Sequence, residues 1–336
     1  MELSYGAYGW RSDARRVLSG ACWPYVDRSD FPLKMATYRV LLGDEIVKMT
    51  WILGFLLLSI ALGLPDLAIG QQIASGSEAD VDVTPDVVYG RKDGMALTFD
   101  VFRPSNAHGG AVLYMVSGDW VSRWTPPEWL IAWSFGGLLE KGLTVMAVRH
   151  GSAPRYKVPE AEADVRRALR YIRLHSDELG IDENRLGVFG GSAGGHLSLM
   201  LGLGSDDGVM GSNDEILRTA ARVAAVVAYY PPVDLRTIVG PSERFPALDF
   251  AEDQAASISP VLFASPDDPP TLLIHGDADM LVNVQNSEVM FEALQGEGVE
   301  SELIIIPGGD HGFRVTADRA RAQQAMVAWF DRHLRR

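Results

Sequence analysis

The chain has 336 residues, of which 47% are hydrophobic and 22% are charged, and its formal net charge at pH 7 is −14. This composition is typical of a globular protein with a substantial core, and the acidic balance argues against a nucleic-acid partner, because phosphate binding requires clustered lysine and arginine. The only cysteine, Cys22, excludes both a disulfide within the chain and a metal centre built from cysteines.

Residues 49–70 have the composition of a secretory signal peptide. Lys48 precedes an apolar run over residues 51–64, and Ala68 and Gly70 place small residues where a signal peptidase would cleave. The run is shorter than the roughly 20 residues that span a bilayer, but it matches the apolar region of a signal peptide. We therefore predict export to the periplasm or the exterior, with a membrane anchor at residues 51–64 as the alternative.

The segments on either side of this signal are predicted to lie outside the folded domain. Residues 1–48 show no sustained hydrophobic period, and we predict that translation begins at Met49, which makes them an upstream extension. Residues 71–83 are small, polar and acidic, which predicts a flexible lead-in. The folded domain is predicted to occupy residues 84–336.

Within this domain, short apolar runs alternate with amphipathic segments. Strands are predicted over residues 85–89, 97–103, 111–117, 143–148, 185–189, 223–229, 271–275 and 302–306. Helices are predicted over residues 128–141, 159–178, 194–203, 283–296 and 318–334. A turn composition at residues 90–94 joins the first two strands as a hairpin. The order predicts an α/β fold, with a mostly parallel central sheet, helices on both faces and an antiparallel hairpin at one edge.

A glycine-flanked serine stands between the strand at 185–189 and the helix at 194–203. Gly190-Gly191-Ser192-Ala193-Gly194 fits the G-x-S-x-G pattern of a nucleophile elbow. A serine at such a sharp turn crowds its neighbours, and glycine relieves the crowding because it lacks Cβ. The following helix directs its positive N-terminus at a developing anion. The pattern predicts Ser192 as a nucleophile.

An acid and a histidine follow the last two strands, where the loops of a parallel sheet collect catalytic groups. Asp277 and Asp279 follow the strand at 271–275, and His311 follows the last strand. The order Ser, Asp, His is that of the α/β-hydrolases, in which imidazole takes the serine proton and a carboxylate orients the imidazole. The spacing does not decide between Asp277 and Asp279, and Asp234 after an earlier strand remains a further candidate.

Three other histidines lie close enough to this region to be considered. His196 lies four residues past Ser192 on the elbow helix, and His150 and His275 end strands. We predict structural roles for all three, because none stands in a loop after the last strand. His311 remains the predicted base.

Four stretches of the chain resemble the α/β-hydrolase superfamily, and within it the bacterial acetyl- and feruloyl-esterase-like and hormone-sensitive-lipase-like carboxylesterases. They are residues 163–172, 182–196, 270–279 and 309–313. In those esterases the acid is the final residue of a His-Gly-x-x-Asp pattern, so the resemblance implies Asp279. Their base is the histidine of a Gly-x-His-Gly-Phe pattern, which implies His311.

One element departs from these esterases. Their His-Gly-Gly-x-Trp stretch, whose amides bind the oxyanion, is replaced by Val116-Ser117-Gly118-Asp119-Trp120. Because the donors are backbone amides, we predict that Gly118, Asp119 and Ala193 supply them. The Asp119 carboxylate would oppose a forming oxyanion unless it turned away.

Four tryptophans lie in or beside this stretch. Trp120 and Trp124 are in the loop and are predicted to reach a sugar or an aromatic acyl group. Trp129 and Trp133 are four residues apart on a predicted helix, which favours packing against the fold.

The resemblance implies a serine hydrolase that cleaves carboxylic esters through an acyl-enzyme, with no metal or other cofactor. Short-chain or carbohydrate-linked acyl esters are the expected substrates. The expected partners are a small-molecule or saccharide ester, no nucleic acid, and a membrane only through an uncleaved signal segment. The alternatives are a peptidase of the prolyl-oligopeptidase kind, whose usual propeller has no room here, and a non-catalytic binding protein on a hydrolase fold.

Overall fold

The computed structural model describes residues 80–335, which form one sheet with helices on both faces. The eight strands are β1 (Val81–Lys92), β2 (Met95–Pro104), β3 (Ala111–Met115), β4 (Thr144–Val148), β5 (Leu186–Gly191), β6 (Ala225–Tyr229), β7 (Thr271–Gly276) and β8 (Ser301–Ile306). The predicted extension at 1–48, the signal segment at 49–70 and most of the lead-in lie outside the described residues. Between residues 80 and 335, no helix has the length and apolar character to cross a membrane.

The strands are ordered β1-β2-β4-β3-β5-β6-β7-β8. β1 pairs antiparallel with β2 and β2 with β4, whereas every other neighbouring pair is parallel. The inner strands β4 and β7 are buried along their whole length, as expected for parallel strands that are covered on both faces. The predicted α/β architecture, a mostly parallel sheet with a hairpin at one edge, is confirmed.

The helices divide between the two faces of the sheet. They are α1 (Pro127–Leu130), α2 (Gly136–Glu140), α3 (Val158–Leu174), α4 (Ala193–Leu203), α5 (Glu215–Arg218), α6 (Gln285–Gly296) and α7 (Thr316–Leu334). Side chains of α3, α4 and α6 form one buried cluster with alternate strand residues such as Leu113. Side chains of α2 and α7 form the other cluster with the intervening residues, such as Val112. This alternation follows from the two-residue period of a strand.

Two boundaries differ from the sequence predictions. β1 begins at Val81, so residues 81–83 of the predicted flexible lead-in pair with β2. Val81 and Val83 pack against the cluster that includes α7, but the alternation Val-Asp-Val is too short to predict a strand by itself. The predicted helix at 128–141 is divided, because a π-helical turn at Ile131–Phe135 separates α1 from α2.

The stretch between β6 and β7, residues 231–269, contains a series of short 3₁₀ turns. They are Leu235–Thr237, Pro246–Leu248, Glu252–Gln254, Ala256–Ile258 and Pro260–Leu262. Leu235, Leu248 and Ile258 are buried against the cluster that includes α4. The stretch therefore packs onto the fold as a covering segment.

Candidate active site

Ser192 lies at the tip of the turn between β5 and α4. Its backbone has φ 55° and ψ −120°, a conformation that is costly for a residue with a Cβ and that occurs at functional sites. A Cβ on Gly190 would lie 2.5 Å from the carbonyl carbon and oxygen of Gly194, and one on Gly194 would lie 2.8 Å from the Met115 oxygen. The two glycines therefore allow the close approach that places Ser192 at the edge of the sheet.

Asp279 and His311 are joined by a hydrogen bond beside this turn. Nδ1 of His311 lies 2.7 Å from Oδ2 of Asp279, whose side chain is fully buried, whereas 20% of the His311 side chain is exposed. Ser192 and His311 line the same cavity, which has a volume of about 560 Å³. Within the described chain no hydrogen bond joins the Ser192 hydroxyl to His311, and such contacts often close only when substrate binds. Nε2 of His311 is the ring nitrogen left for Ser192.

The Asp279 carboxylate is held in its charged form. Burial by itself raises the pKa of Asp279, but hydrogen bonds from the Val282 amide, His311 and the Leu281 amide outweigh it and hold the pKa below its usual value. The Leu281 and Val282 amides donate to Oδ1 of Asp279 at 2.8 Å and 2.9 Å. The second oxygen is therefore free to orient the His311 ring.

A second histidine supports the same carboxylate. Nε2 of His275 lies 2.9 Å from the Val282 carbonyl oxygen and 3.3 Å from Oδ2 of Asp279. Because a carbonyl only accepts, Nε2 carries the proton, and Nδ1 accepts from the Ser287 hydroxyl at 2.7 Å. Burial lowers the pKa of His275, so the ring is neutral, and its Nε2–H donates to the Val282 oxygen and lies beside the Asp279 carboxylate. The sequence placed His275 in the His-Gly-x-x-Asp pattern but did not reveal this role.

The other acids that follow strands, Asp234, Asp277 and Asp310, have different partners. Oδ1 of Asp277 accepts from the Gly308 amide at 2.6 Å, and the Asp310 carboxylate pairs with Arg314 on its own turn. Asp234 pairs with Arg236 at 2.7 Å. The structure thus identifies Asp279, and not Asp277, as the carboxylate in contact with His311. The sequence spacing alone could not distinguish the two.

The loop after β3 is a tight turn, and one of the amides predicted to bind the oxyanion is already hydrogen-bonded within it. The Val121 amide donates to the Gly118 oxygen at 2.8 Å, and the Gly118 amide donates to the Val121 oxygen at 3.1 Å. Asp119 and Trp120 have φ values of 54° and 55°, as in a type I′ turn. The predicted donor role of Gly118 is therefore not supported, because its N–H is already used within the turn.

The other two predicted donors are available. Among residues 80–335, the amides of Asp119 and Ala193 have no hydrogen-bond acceptor. Ala193 is the first residue of α4, where unpaired N–H groups are expected. The Asp119 side chain is exposed to solvent at the cavity, so water screens its charge.

Hydrogen bonds from buried histidine side chains hold this turn in place. Nε2 of His150 accepts from the Ser117 hydroxyl at 2.9 Å, while Nδ1 of the same ring lies 2.8 Å from the Gly151 oxygen. Nε1 of Trp120 lies 3.3 Å from Nδ1 of His196, whose Nε2 donates to the Ile258 oxygen at 2.8 Å. His150 and His196 therefore have the structural roles that the sequence predicted.

The tryptophan predictions are wrong for three of the four residues. Trp120 is 4% exposed and packs on His196 rather than facing a ligand, whereas Trp129 and Trp133 are 55% and 58% exposed. Trp124 is 64% exposed but does not line the cavity that holds Ser192, and its contact with a ligand stays a prediction. The period of a helix does not reveal which face the sheet covers when a π-helical turn shifts the register.

Tyr230 is a cavity residue that the sequence analysis did not identify. It follows β6 with φ 37°, and its ring centroid lies 4.6 Å from that of His311 and 5.1 Å from that of Phe313. Burial raises the pKa of Tyr230, which keeps the phenol neutral. Its signal in the sequence was only its place directly after a strand.

The described residues also limit metal binding. Between residues 80 and 335, no group of three or more His, Cys, Asp or Glu side chains is arranged to hold a metal ion.

Comparisons with known proteins find esterases among the relatives of this chain. The match with "Probable carboxylic ester hydrolase LipM" of Mycobacterium tuberculosis is 30% identical and covers 57% of this chain and 46% of that protein. Esterase LipQ of the same organism is 26% identical over 70% of this chain and 58% of its own length. Ethyl acetate hydrolase of Pseudomonas putida is 25% identical over 72% of this chain and 79% of its own length. The chain thus spans about half the length of the first curated relatives it matches.

Solved structures share the fold. A truncated carbohydrate esterase from gut microbiota aligns with a TM-score of 0.64 at 24% identity, covering 77% of this chain and 99% of that one. An acetyl ester-xyloside bifunctional hydrolase from Caldicellulosiruptor lactoaceticus aligns with a TM-score of 0.62 at 25% identity, covering 74% and 95%. These likenesses confirm the α/β-hydrolase fold.

The BD-FAE family model matches residues 99–294 of this chain. That range runs from β2 through the elbow and β7 to α6, and it contains Ser192 and Asp279. Because the match covers more than half of the 336 residues, the chain belongs to the BD-FAE family of α/β-hydrolases.

Proposed function

We propose that this protein is a serine hydrolase that cleaves carboxylic esters through an acyl-enzyme intermediate. The observation that carries the proposal is the contact of 2.7 Å between His311 and the buried Asp279, beside a strained Ser192 that lines the same cavity. A nucleophile, a base and a carboxylate that orients the base are the groups that acyl transfer needs. The esterases among the relatives support the same chemistry.

The reaction follows from the positions of these groups. His311 Nε2 takes the proton of the Ser192 hydroxyl as Oγ attacks the ester carbonyl, and the Asp279 carboxylate stabilises the imidazolium that forms. The amides of Ala193 and Asp119 receive the oxyanion. His311 then returns the proton to the leaving alcohol, and water attacks the acyl-enzyme by the same route in reverse.

Short-chain or carbohydrate-linked acyl esters are the proposed substrates. The inner wall of the cavity carries aromatic and aliphatic side chains, among them Tyr114, Phe189, Tyr229 and Met326, which suits an acyl group of limited size. The relatives include ethyl acetate hydrolase, named for a short ester, and Endo-1,4-beta-xylanase B of Butyrivibrio fibrisolvens, named for a polysaccharide. Both kinds of ester remain within the proposal.

Hydrolysis of a panel of nitrophenyl esters of increasing acyl length, together with acetylated and feruloylated saccharides, tests the function. We expect turnover of short esters by the wild type and its loss in Ser192→Ala. Labelling by an organophosphate such as paraoxon should add one phosphoryl group to the wild type and none to Ser192→Ala. Ser257→Ala, which removes an exposed hydroxyl outside the cavity, is the matched control and should be labelled like the wild type.

Two results would contradict the proposal. Turnover that survives in Ser192→Ala would exclude Ser192 as the nucleophile. A wild type that neither hydrolyses any ester of the panel nor reacts with paraoxon would favour a binding protein on a hydrolase fold.

Export by the segment at residues 49–70 is proposed on the sequence pattern alone, with anchoring by residues 51–64 as the alternative. N-terminal sequencing of the protein recovered from the periplasm or the medium tests it. A mature N-terminus at Gln71 would support export, and a protein that stays in the membrane fraction with residues 51–64 intact would support the anchor.

A further inference from the structure

Two arginines line the catalytic cavity without a carboxylate partner. Arg123 lies in the loop after β3, and Arg319 is the fourth residue of α7. Both side chains are exposed, and within residues 80–335 neither takes part in a hydrogen bond or an ion pair. By contrast, Arg314, which is also exposed, lies 3.1 Å from the Asp310 carboxylate. The cavity therefore presents two cationic side chains that the described fold does not use.

The walls of this cavity carry more positive than negative charge. Among the described residues that line it, Asp119 is the only acid, and Asp279 is buried and bonded to His311. The chain as a whole has the opposite balance, with 44 acidic and 30 basic side chains. A cleft whose charge differs in sign from that of the whole protein raises the local concentration of an oppositely charged ligand. The charge of the cavity thus favours an anion.

Arg319 also occupies a helix position that the helix dipole disfavours. α7 begins at Thr316, and the partial positive charge of a helix N-terminus stabilises anions and opposes cations in the first turn. In the described part of the chain no ion pair of Arg319 offsets this repulsion. An anion in the cavity would be attracted by the guanidinium and by the helix terminus together.

The charge of Arg319 acts on the residues around the catalytic base. Burial raises the pKa of Tyr230, and Arg319 is a neighbouring cation that opposes this rise. The Tyr230 ring centroid lies 4.6 Å from that of His311, and both residues line the cavity with Ser192. A small molecule whose ester bond lies at Ser192 is therefore within the influence of Arg319.

We propose that Arg123 and Arg319 select esters that carry a free carboxylate in addition to the ester bond cleaved at Ser192. This inference rests on the proposed ester hydrolase function and specifies the charge of its substrate. A guanidinium group donates two parallel N–H groups to a carboxylate. The carboxylate belongs either to the acyl part, as in a monoester of a dicarboxylic acid, or to the alcohol part, as in an acylated hydroxy acid.

Two pairs of esters that differ by one charge test the inference. Monomethyl succinate and methyl succinamate carry a carboxylate or an amide of similar size on the acyl part, and O-acetylglycolate and O-acetylglycolamide carry them on the alcohol part. The measured quantity is the ratio of kcat/KM for the anionic member to kcat/KM for the neutral member. In the wild type we expect this ratio to fall in about 1 M salt, where the screening length is about 3 Å.

Variants of the two arginines are the decisive comparison, because the intrinsic reactivity of each ester is the same for every variant. Arg123→Gln and Arg319→Gln should each lower the ratio by about twofold to fivefold in at least one pair, a range that allows for screening by water. That pair identifies the part of the substrate that carries the anion. Asp119→Asn should raise the ratio, because it removes the acid that lines the cavity. Arg321→Gln is the matched control, since Arg321 is an exposed arginine of α7 outside the cavity lining, and its ratio should match the wild type.

A binding measurement separates this inference from the proposed function. In ligand-detected NMR, Ser192→Ala should bind monomethyl succinate or O-acetylglycolate more tightly than the neutral partner, even if no ester is turned over. Adding Arg319→Gln should reduce that difference. Ratios that are equal in the wild type and in both arginine variants would overturn the inference. So would an equal decrease in Arg321→Gln, which would show a general effect of net charge.

Discussion

Nδ1 of His311 lies 2.7 Å from Oδ2 of Asp279, and the Asp279 side chain is inaccessible to solvent. Asp279→Asn removes the negative charge that stabilises the imidazolium, and its amide presents a donor to a nitrogen that also donates. We expect kcat on a nitrophenyl ester to fall by about 10³-fold to 10⁴-fold, as in other triads. Steady-state kinetics at saturating substrate measures the loss.

The control for this prediction is two residues away. Asp277 is exposed and accepts from the Gly308 amide rather than from His311. Asp277→Asn should therefore lower kcat by less than about tenfold, the effect of one weakened hydrogen bond. Equal losses in the two variants would mean that Asp279 does not orient the base.

Tyr230 is predicted to position the His311 ring through its own ring. The centroids of the Tyr230 and His311 rings lie 4.6 Å apart, and the centroid of the Phe313 ring lies 5.1 Å from that of Tyr230. Tyr230→Leu removes an aromatic contact worth about 1 kcal/mol, so kcat should fall by about fivefold while KM changes less. Tyr230→Phe keeps the ring and should lose less activity than Tyr230→Leu. If both variants lose the same amount of kcat, the hydroxyl and not the ring is the important group.

The sequence predicted the fold well because buried parallel strands are short apolar runs bounded by turn residues. All eight strands occur close to their predicted ranges, and the glycines around Ser192 are required by contacts of 2.5 Å and 2.8 Å. The start of β1 was missed because the alternation Val81-Asp82-Val83 is short, and its strand conformation depends on pairing with β2. The π-helical turn at Ile131–Phe135 has no sequence signal of this kind.

The site was predictable where one short motif fixes one residue. Ser192, Asp279 and His311 each belong to such a motif, and the structure brings them to one edge of the sheet. The Gly118 amide, in contrast, donates to the Val121 oxygen within its own turn, and no such motif predicts that hydrogen bond. The contact of Tyr230 with His311 joins segments about 80 residues apart in sequence, which no local pattern shows.

Gly190 is predicted to be required for folding of the elbow. A Cβ at this position would lie 2.5 Å from backbone atoms of Gly194, and backbone at the start of α4 cannot move without displacing the helix. Gly190→Ala should lower the free energy of unfolding by about 3 kcal/mol or more, the upper part of the range for overpacked sites. Urea denaturation measures the change.

Gly191 provides the comparison. A Cβ there would meet the Tyr230 hydroxyl at 2.8 Å, and the end of a side chain yields more easily than backbone. Gly191→Ala should therefore cost about 1 kcal/mol. A smaller loss of stability for Gly190→Ala than for Gly191→Ala would contradict this account of the elbow.

His196 is predicted to make the fold sensitive to acid. It is fully buried between Trp120 and the Ile258 carbonyl, and burial lowers its pKa from 6.5 to about 4. Between these values the unfolded chain binds a proton that the folded protein does not, so stability falls as pH decreases from 6.5 to about 4. The full difference corresponds to roughly 3 kcal/mol.

His196→Gln isolates this contribution, because the amide cannot titrate and retains an N–H donor for the Ile258 oxygen. At neutral pH the variant should be less stable than the wild type, since the hydrogen bond from Trp120 is disturbed. The gap should then narrow as the pH falls, because only the wild type is penalised by protonation of residue 196. His150 and His275, whose pKa values are also lowered by burial, contribute equally to both proteins and cancel in the difference. Urea denaturation across this pH range measures both free energies of unfolding, and a gap that stays constant with pH would show that His196 does not titrate as described.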